Sequence, residues 1–167
     1  KVVILPPFIF LDELAKRFKH IKWGAQDVFW ESVGAYTGEV SLPMLSGAGI
    51  NWVLAGHSER RRMFGETDED VNKKMLAALA SDFNIIVAIG ELQKDDGAND
   101  IINSFKKSLV GADNSKLDRL VVAYEPVWAI SSNQVTTVSG HTESATPAVA
   151  QDMINYMEGI VRGLPIV

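Results

Sequence analysis

Short, nearly unbroken apolar runs alternate along this chain with segments in which apolar positions recur every three or four residues. Val2 to Leu5, Ile21 to Ala25, Trp52 to Ala55, Ile85 to Ile89 and Leu120 to Tyr124 form the first class and predict short strands. Their continuous apolarity, without polar alternation, is the pattern of parallel strands covered on both faces. The second class predicts helices. Thr67 with Asp70 three residues on supplies a cap ahead of Val71, Met75, Leu76 and Leu79, and Thr146-Pro147 opens another helix carrying Val149, Met153, Met157 and Ile160 on one face. Shorter helical patterns cover Leu11 to Phe18, Leu42 to Ser46 and Ile101 to Leu109.

Strand and helix therefore alternate throughout. Repetitive βα order with right-handed crossovers leaves two main architectures, an open doubly wound sheet or a closed barrel. Five strands, with another beginning near Leu164, would complete a small open sheet but only part of a barrel. Polar motifs stand at the carboxyl ends of three strands: Gly24-Ala25-Gln26-Asp27, Gly56-His57-Ser58-Glu59 and Tyr124-Glu125. A barrel active site collects side chains from many strand ends, whereas an open sheet binds its ligand at one switch point.

The 167 residues are expected to form one domain, and 47% apolar with 22% charged residues is globular composition. No apolar window approaches the roughly 18 to 20 residues of a membrane helix, so a membrane partner is not expected. The chain has no cysteine, which excludes disulfides and thiolate zinc sites and suits a reducing compartment such as the cytoplasm. The net charge is -5, and apart from Arg60-Arg61-Arg62 the basic residues are scattered, so no nucleic-acid partner is expected. Neither Gly-x-Gly-x-x-Gly nor a Walker-type loop occurs. Both ends read as cuts within a longer pattern, and the residues ahead of the first strand do not read as a targeting segment.

Chemistry concentrates at the strand ends. Glu125 follows an apolar run and precedes a stiff Pro126-Val127-Trp128 turn; taken alone it reads as a carboxylate paired with an arginine. His57 likewise follows an apolar strand, where a histidine is ordinarily a packed or surface residue, as His20 and His141 are read to be. Glu59 beside Arg60 and Arg61 reads as a surface ion pair of small energetic weight. Gly34 and Gly38 flank a tight, exposed turn.

Five motifs taken together change these readings: Trp23 to Asp27, Gly34 to Glu39, Gly56 to Arg61, Phe64-Gly65-Glu66 and Ala123 to Ile130. In this order the chain, from about residue 2 to residue 163, resembles the triosephosphate isomerases. The resemblance implies an α/β fold, the TIM (β/α)8 barrel, with only about strands 2 to 6 and their helices in this chain. It implies interconversion of dihydroxyacetone phosphate and glyceraldehyde 3-phosphate in glycolysis and gluconeogenesis, with no metal or organic cofactor. Glu125 would be the general base that moves a proton between adjacent carbons. His57 would be neutral and donate a hydrogen bond to the substrate's carbonyl and enediolate oxygens, this family being the reference case for such tuning.

Ser58 would start and cap the helical turn after His57, and Glu59 would lie buried and help to place a lysine from the family's first strand. No Asn-x-Lys follows a strand at the start of this chain. The loop at 34–39, with Tyr36 and Thr37 at its tip, implies a homodimer in which it inserts into the partner. Pro126, Val127 and Trp128 would hinge a lid that grips the substrate phosphate through Ile130 and the Ser131 amide. That lid, Ser131 to Ala145, is longer than the family's short glycine-containing tip. Two other readings stand beside the enzyme: a catalytically impaired fragment or scaffold that lacks the lysine and the loops after strands 7 and 8, and a piece of a longer chain.

Overall fold

The structure, a computed structural model, describes residues 2–90 and 98–125, together with Pro147, Ala148, Gln151, Asp152, Asn155 and Gly159, all helical. Five strands, β1 (Val3–Ile4), β2 (Lys22–Ala25), β3 (Trp52–Ala55), β4 (Asn84–Ile89) and β5 (Leu120–Tyr124), fall where the apolar runs predict them. Between them lie α1 (Phe8–Arg17), α2 (Leu42–Gly47), α3 (Ser58–Phe64), α4 (Asp68–Ala80), α5 (Ala98–Ser108) and a 3-10 turn, Asn114–Arg119.

Each strand is parallel to its predecessor and hydrogen-bonded to it, in the order β1-β2-β3-β4-β5. A doubly wound sheet reverses direction at a switch point. The described strands show no reversal, so the sheet is the singly wound wall of a partial (β/α)8 barrel. Parallel pairing also brings every strand's carboxyl end to the same rim of the sheet.

The strands have two unlike faces. Ala25, Val53, Ala55, Ile85, Val87 and Ile89 are buried, and Leu120, Val122 and Tyr124 pack beside them against the core. Val71, Met75, Ala78 and Leu79 of α4 and Ile101, Phe105 and Leu109 of α5 complete that core. On the opposite face Trp52, Leu54 and Ile86 are half-buried and Val121 is 43% exposed. Burial is therefore complete on the helix-covered face and partial on the other, where Ala88 is buried and its neighbours are half-covered.

Local chemistry sets the boundaries. Gly65, in the left-handed region at φ 71°, ends α3, and a reciprocal capping box starts α4: the Asp70 N–H donates to Thr67 Oγ1 while the Thr67 N–H donates to the Asp70 carboxylate. Helix α1 begins at Phe8, three residues before the expected start, because Phe8, Ile9 and Phe10 are exposed and blur its period. The start signal Thr146 and the apolar face of the last helix lie outside the described residues. Among the described residues no helix is long and apolar enough to cross a membrane.

The capping box titrates. Burial acts to raise the Asp70 carboxyl, but hydrogen bonds from Thr67 and the charges of Lys73 and Lys74 outweigh it and hold it below the ordinary 3.8. A depressed folded-state value stabilises above the unfolded value and is lost as pH falls through the folded one. Thr67→Ala is thus expected to cost about 1 kcal/mol near neutral pH, with the gap to wild type narrowing below about pH 4. Urea midpoints at the two pH values test this; an unchanged gap contradicts it.

Candidate active site

Three strand ends converge on the carboxyl rim. The Glu125 N–H donates to the Ile89 carbonyl at 2.7 Å, extending the β4–β5 ladder by one residue and fixing where Glu125 leaves the sheet. By alternation Glu125 shares the face of Val121 and Ala123, the face without helices. Across the rim the His57 Nε2 lies 3.4 Å from Glu125 Oε1. The other carboxylate oxygen, Oε2, is buried and has no hydrogen-bond partner among the described residues.

The local backbone fixes the tautomer of His57. His57 is the N-cap of α3, and its Nδ1 accepts the Glu59 N–H at 3.2 Å. A ring nitrogen that accepts carries no proton, so in the neutral ring the N–H sits on Nε2, the nitrogen facing Glu125. One nitrogen thus satisfies a helix end while the other is presented as a donor.

Two expectations need correction here. The cap of α3 is His57, not Ser58; Ser58 is the first helical residue and is buried. An N-cap must stand outside helical geometry, and His57, at ψ 139°, is the last residue that does. The Glu59 side chain is 55% exposed rather than buried. As the second residue of α3 it lies in the first turn and lends its charge to the positive end of that short helix.

The loop at 34–39 projects from the sheet as expected of a tight turn. Its base is closed by the Phe29 N–H to Val40 carbonyl bond at 2.9 Å, and every residue of its tip is exposed. The Tyr36 ring packs against Phe29 at a tilt of 48° with ring centres 4.5 Å apart, and Thr37 stands beside it at the tip. Pro126, Val127, Trp128, Ile130 and Ser131 lie outside the described residues. Among the described residues no group of three or more His, Asp or Glu is placed to hold a metal ion.

A buried charge cluster behind His57 escaped the sequence reading. Lys74 is 4% exposed, and its ammonium donates to Glu66 and, at 2.6 Å, to Asp27. Arg60 reaches the second Asp27 oxygen at 2.9 Å. Glu66 Oε2 accepts the Gly56 N–H at 3.1 Å, and the Arg61 Nε–H donates to the Gly56 carbonyl at 2.8 Å. Lys74 sits within the buried stripe Val71-Met75-Ala78 of α4. A lysine at a core position of an amphipathic helix was the signal that it is paired.

Comparison with known proteins bears on the chain as a whole. The family model described as triosephosphate isomerase matches residues 1–166. A protein named triosephosphate isomerase from Thermoanaerobacter pseudethanolicus is 44% identical over 149 residues, covering 86% of this chain and 60% of that protein. One of the same name from Caldanaerobacter subterraneus subsp. tengcongensis is 41% identical over 170 residues, covering 98% and 65%. Another, from Gloeothece citriformis, is 46% identical over 169 residues, covering 98% and 68%. The chain thus spans about three-fifths to two-thirds of the length of these relatives.

Proposed function

The chain belongs to the triosephosphate isomerase family, and on that footing we propose that the protein interconverts dihydroxyacetone phosphate and glyceraldehyde 3-phosphate, with Glu125 as base and His57 as electrophile. The observation that carries this reading is the facing pair itself: an imidazole whose Nδ1 is occupied by the Glu59 N–H and whose Nε2 faces the carboxylate at 3.4 Å, the second oxygen of which is buried and unpartnered among the described residues.

In the ketone-to-aldehyde direction Glu125 removes a proton from C1 of the substrate. The C1–H pair becomes the C1–C2 double bond and the carbonyl π pair moves to the C2 oxygen. The Nε2–H of His57 donates to that oxygen as charge grows on it, an interaction stronger in the transition state than in the substrate. Glu125 then returns the proton to C2, and the hydroxyl proton of the C1 oxygen passes to the C2 oxygen, so that no atom or electron is gained or lost. No step requires a group beyond the substrate and these side chains.

In the same reading Pro126, Val127 and Trp128 hinge a closing segment whose Ile130 and Ser131 take the phosphate. Tyr36 and Thr37 on the exposed loop dock into a second copy, forming a homodimer. A cytoplasmic location follows from the glycolytic role. The exposed aromatic tip at Tyr36 supports the docking surface.

The test supplies glyceraldehyde 3-phosphate to the intact protein in deuterated water and follows both product and label. The reading expects dihydroxyacetone phosphate carrying deuterium at C1, since a proton held by a carboxylate exchanges with solvent. Absence of product refutes the activity, and product without label refutes the carboxylate shuttle.

A further inference from the structure

We propose that Glu66 is a positioning residue for His57, acting through the Gly56 peptide, and that Lys74, Asp27 and Arg60 hold its carboxylate in place. The proposal rests on the isomerase reading of His57 and Glu125 and adds a role for charges that the proton transfer itself never uses.

The connection is covalent and short. Gly56 links the end of β3 to His57 and has φ 78°, a region that disfavours residues with a Cβ. A Cβ there would lie 2.9 Å from the Ala88 carbonyl oxygen and 2.9 Å from Arg61 Nη2, so the backbone is pressed into its neighbours. Both polar atoms of Gly56 are held by charged side chains, the N–H by Glu66 and the carbonyl by Arg61. Rotation of this segment would swing the imidazole relative to Glu125, and these two bonds oppose it.

The energetics point the same way. Glu66, Asp27 and Lys74 are all under 9% exposed, and burying ions costs more than a well-packed apolar group of the same size would. Stability alone gives no reason for such a cluster. A directed bond to the residue before His57 does, because the Glu66 carboxylate accepts the Gly56 N–H and such a bond holds only in one orientation of the peptide. Lys74 bridges Glu66 to Asp27, and Arg60 closes the cluster from α3, the helix that His57 caps.

The experiment compares the intact wild-type protein with Glu66→Gln and with the double variant Glu66→Met/Lys74→Met, in which Asp27 keeps Arg60. Expected in both is a kcat lower by about tenfold or more, with KM for glyceraldehyde 3-phosphate within about twofold, since displacing a catalytic group impairs chemistry more than binding. The His57 Nε2–H resonance should shift or broaden in both. A folded double variant with wild-type kcat and a wild-type His57 resonance overturns the proposal, as does loss of thermal stability alone with kcat per folded molecule unchanged. Should the wild type fail to isomerise, the isomerase reading falls, and the His57 resonance still decides whether Glu66 positions the ring.

Discussion

Glu125→Gln is expected to lower kcat by about 100-fold to 10,000-fold while leaving the thermal midpoint of the protein nearly unchanged. The amide is isosteric with the carboxylate but cannot accept a proton from carbon, so the substitution removes the chemistry and keeps the shape. Little stability is at stake. Oε1 has His57 as its neighbour at 3.4 Å, longer than a strong hydrogen bond, and Oε2 has no partner among the described residues. Glu125→Asp draws the carboxylate back by about one carbon–carbon bond and is expected to lose on the order of 100-fold. Steady-state kinetics beside a melting curve decide the matter: wild-type turnover in either variant refutes the assignment of the base. His57→Ala is a less clean probe, because it also removes the acceptor for the Glu59 N–H and so destabilises α3.

The largest expected effect on stability comes from Lys74→Met, about 3 to 5 kcal/mol. Lys74 is the cation shared by Asp27 and Glu66, so its loss leaves two buried carboxylates facing Arg60 alone. Glu66→Met in the same chain removes the surplus anion, and the double variant is expected to recover most of the loss, since an apolar pair of similar volume replaces an ion pair at little net cost. Chemical unfolding of the single and double variants measures the coupling between the two residues. Additive losses would show that the two side chains act independently, contrary to the geometry.

Much of this was legible in the residues, and for a physical reason. Strands of a parallel sheet carry nearly unbroken apolar runs rather than alternating ones, so β3 (Trp52–Ala55) and β5 (Leu120–Tyr124) lie at the predicted positions, and the Thr67–Asp70 capping box could be named from two side chains three residues apart. Glu125 and His57 were found as ionisable residues at the ends of such runs. The cap of α3 was misassigned because Ser is a common N-cap and His is not, while the deciding quantity is the backbone angle of residue 57. The pairing of Glu66 and Lys74 was missed because their partners, Asp27 and the Gly56 N–H, lie just past the ends of β2 and β3, and pairing across elements leaves no local spacing to read. The 3-10 turn at Asn114–Arg119 was missed because it is held by an aspartate cap, the Ser115 N–H donating to Asp113 Oδ1, and sets only Leu117, part-buried, against the core.

The strand order carries a kinetic consequence. Every pairing among the described strands, from Val3 with Lys22 to Ile85 with Leu120, joins neighbours in sequence across one βα unit. The entropy of closing a loop grows only with the logarithm of its length, so the successive closures among the described strands are of similar difficulty and none of these waits for a distant segment. During synthesis each new strand therefore finds its partner already made, and the sheet is able to grow from its amino-terminal edge as the chain emerges.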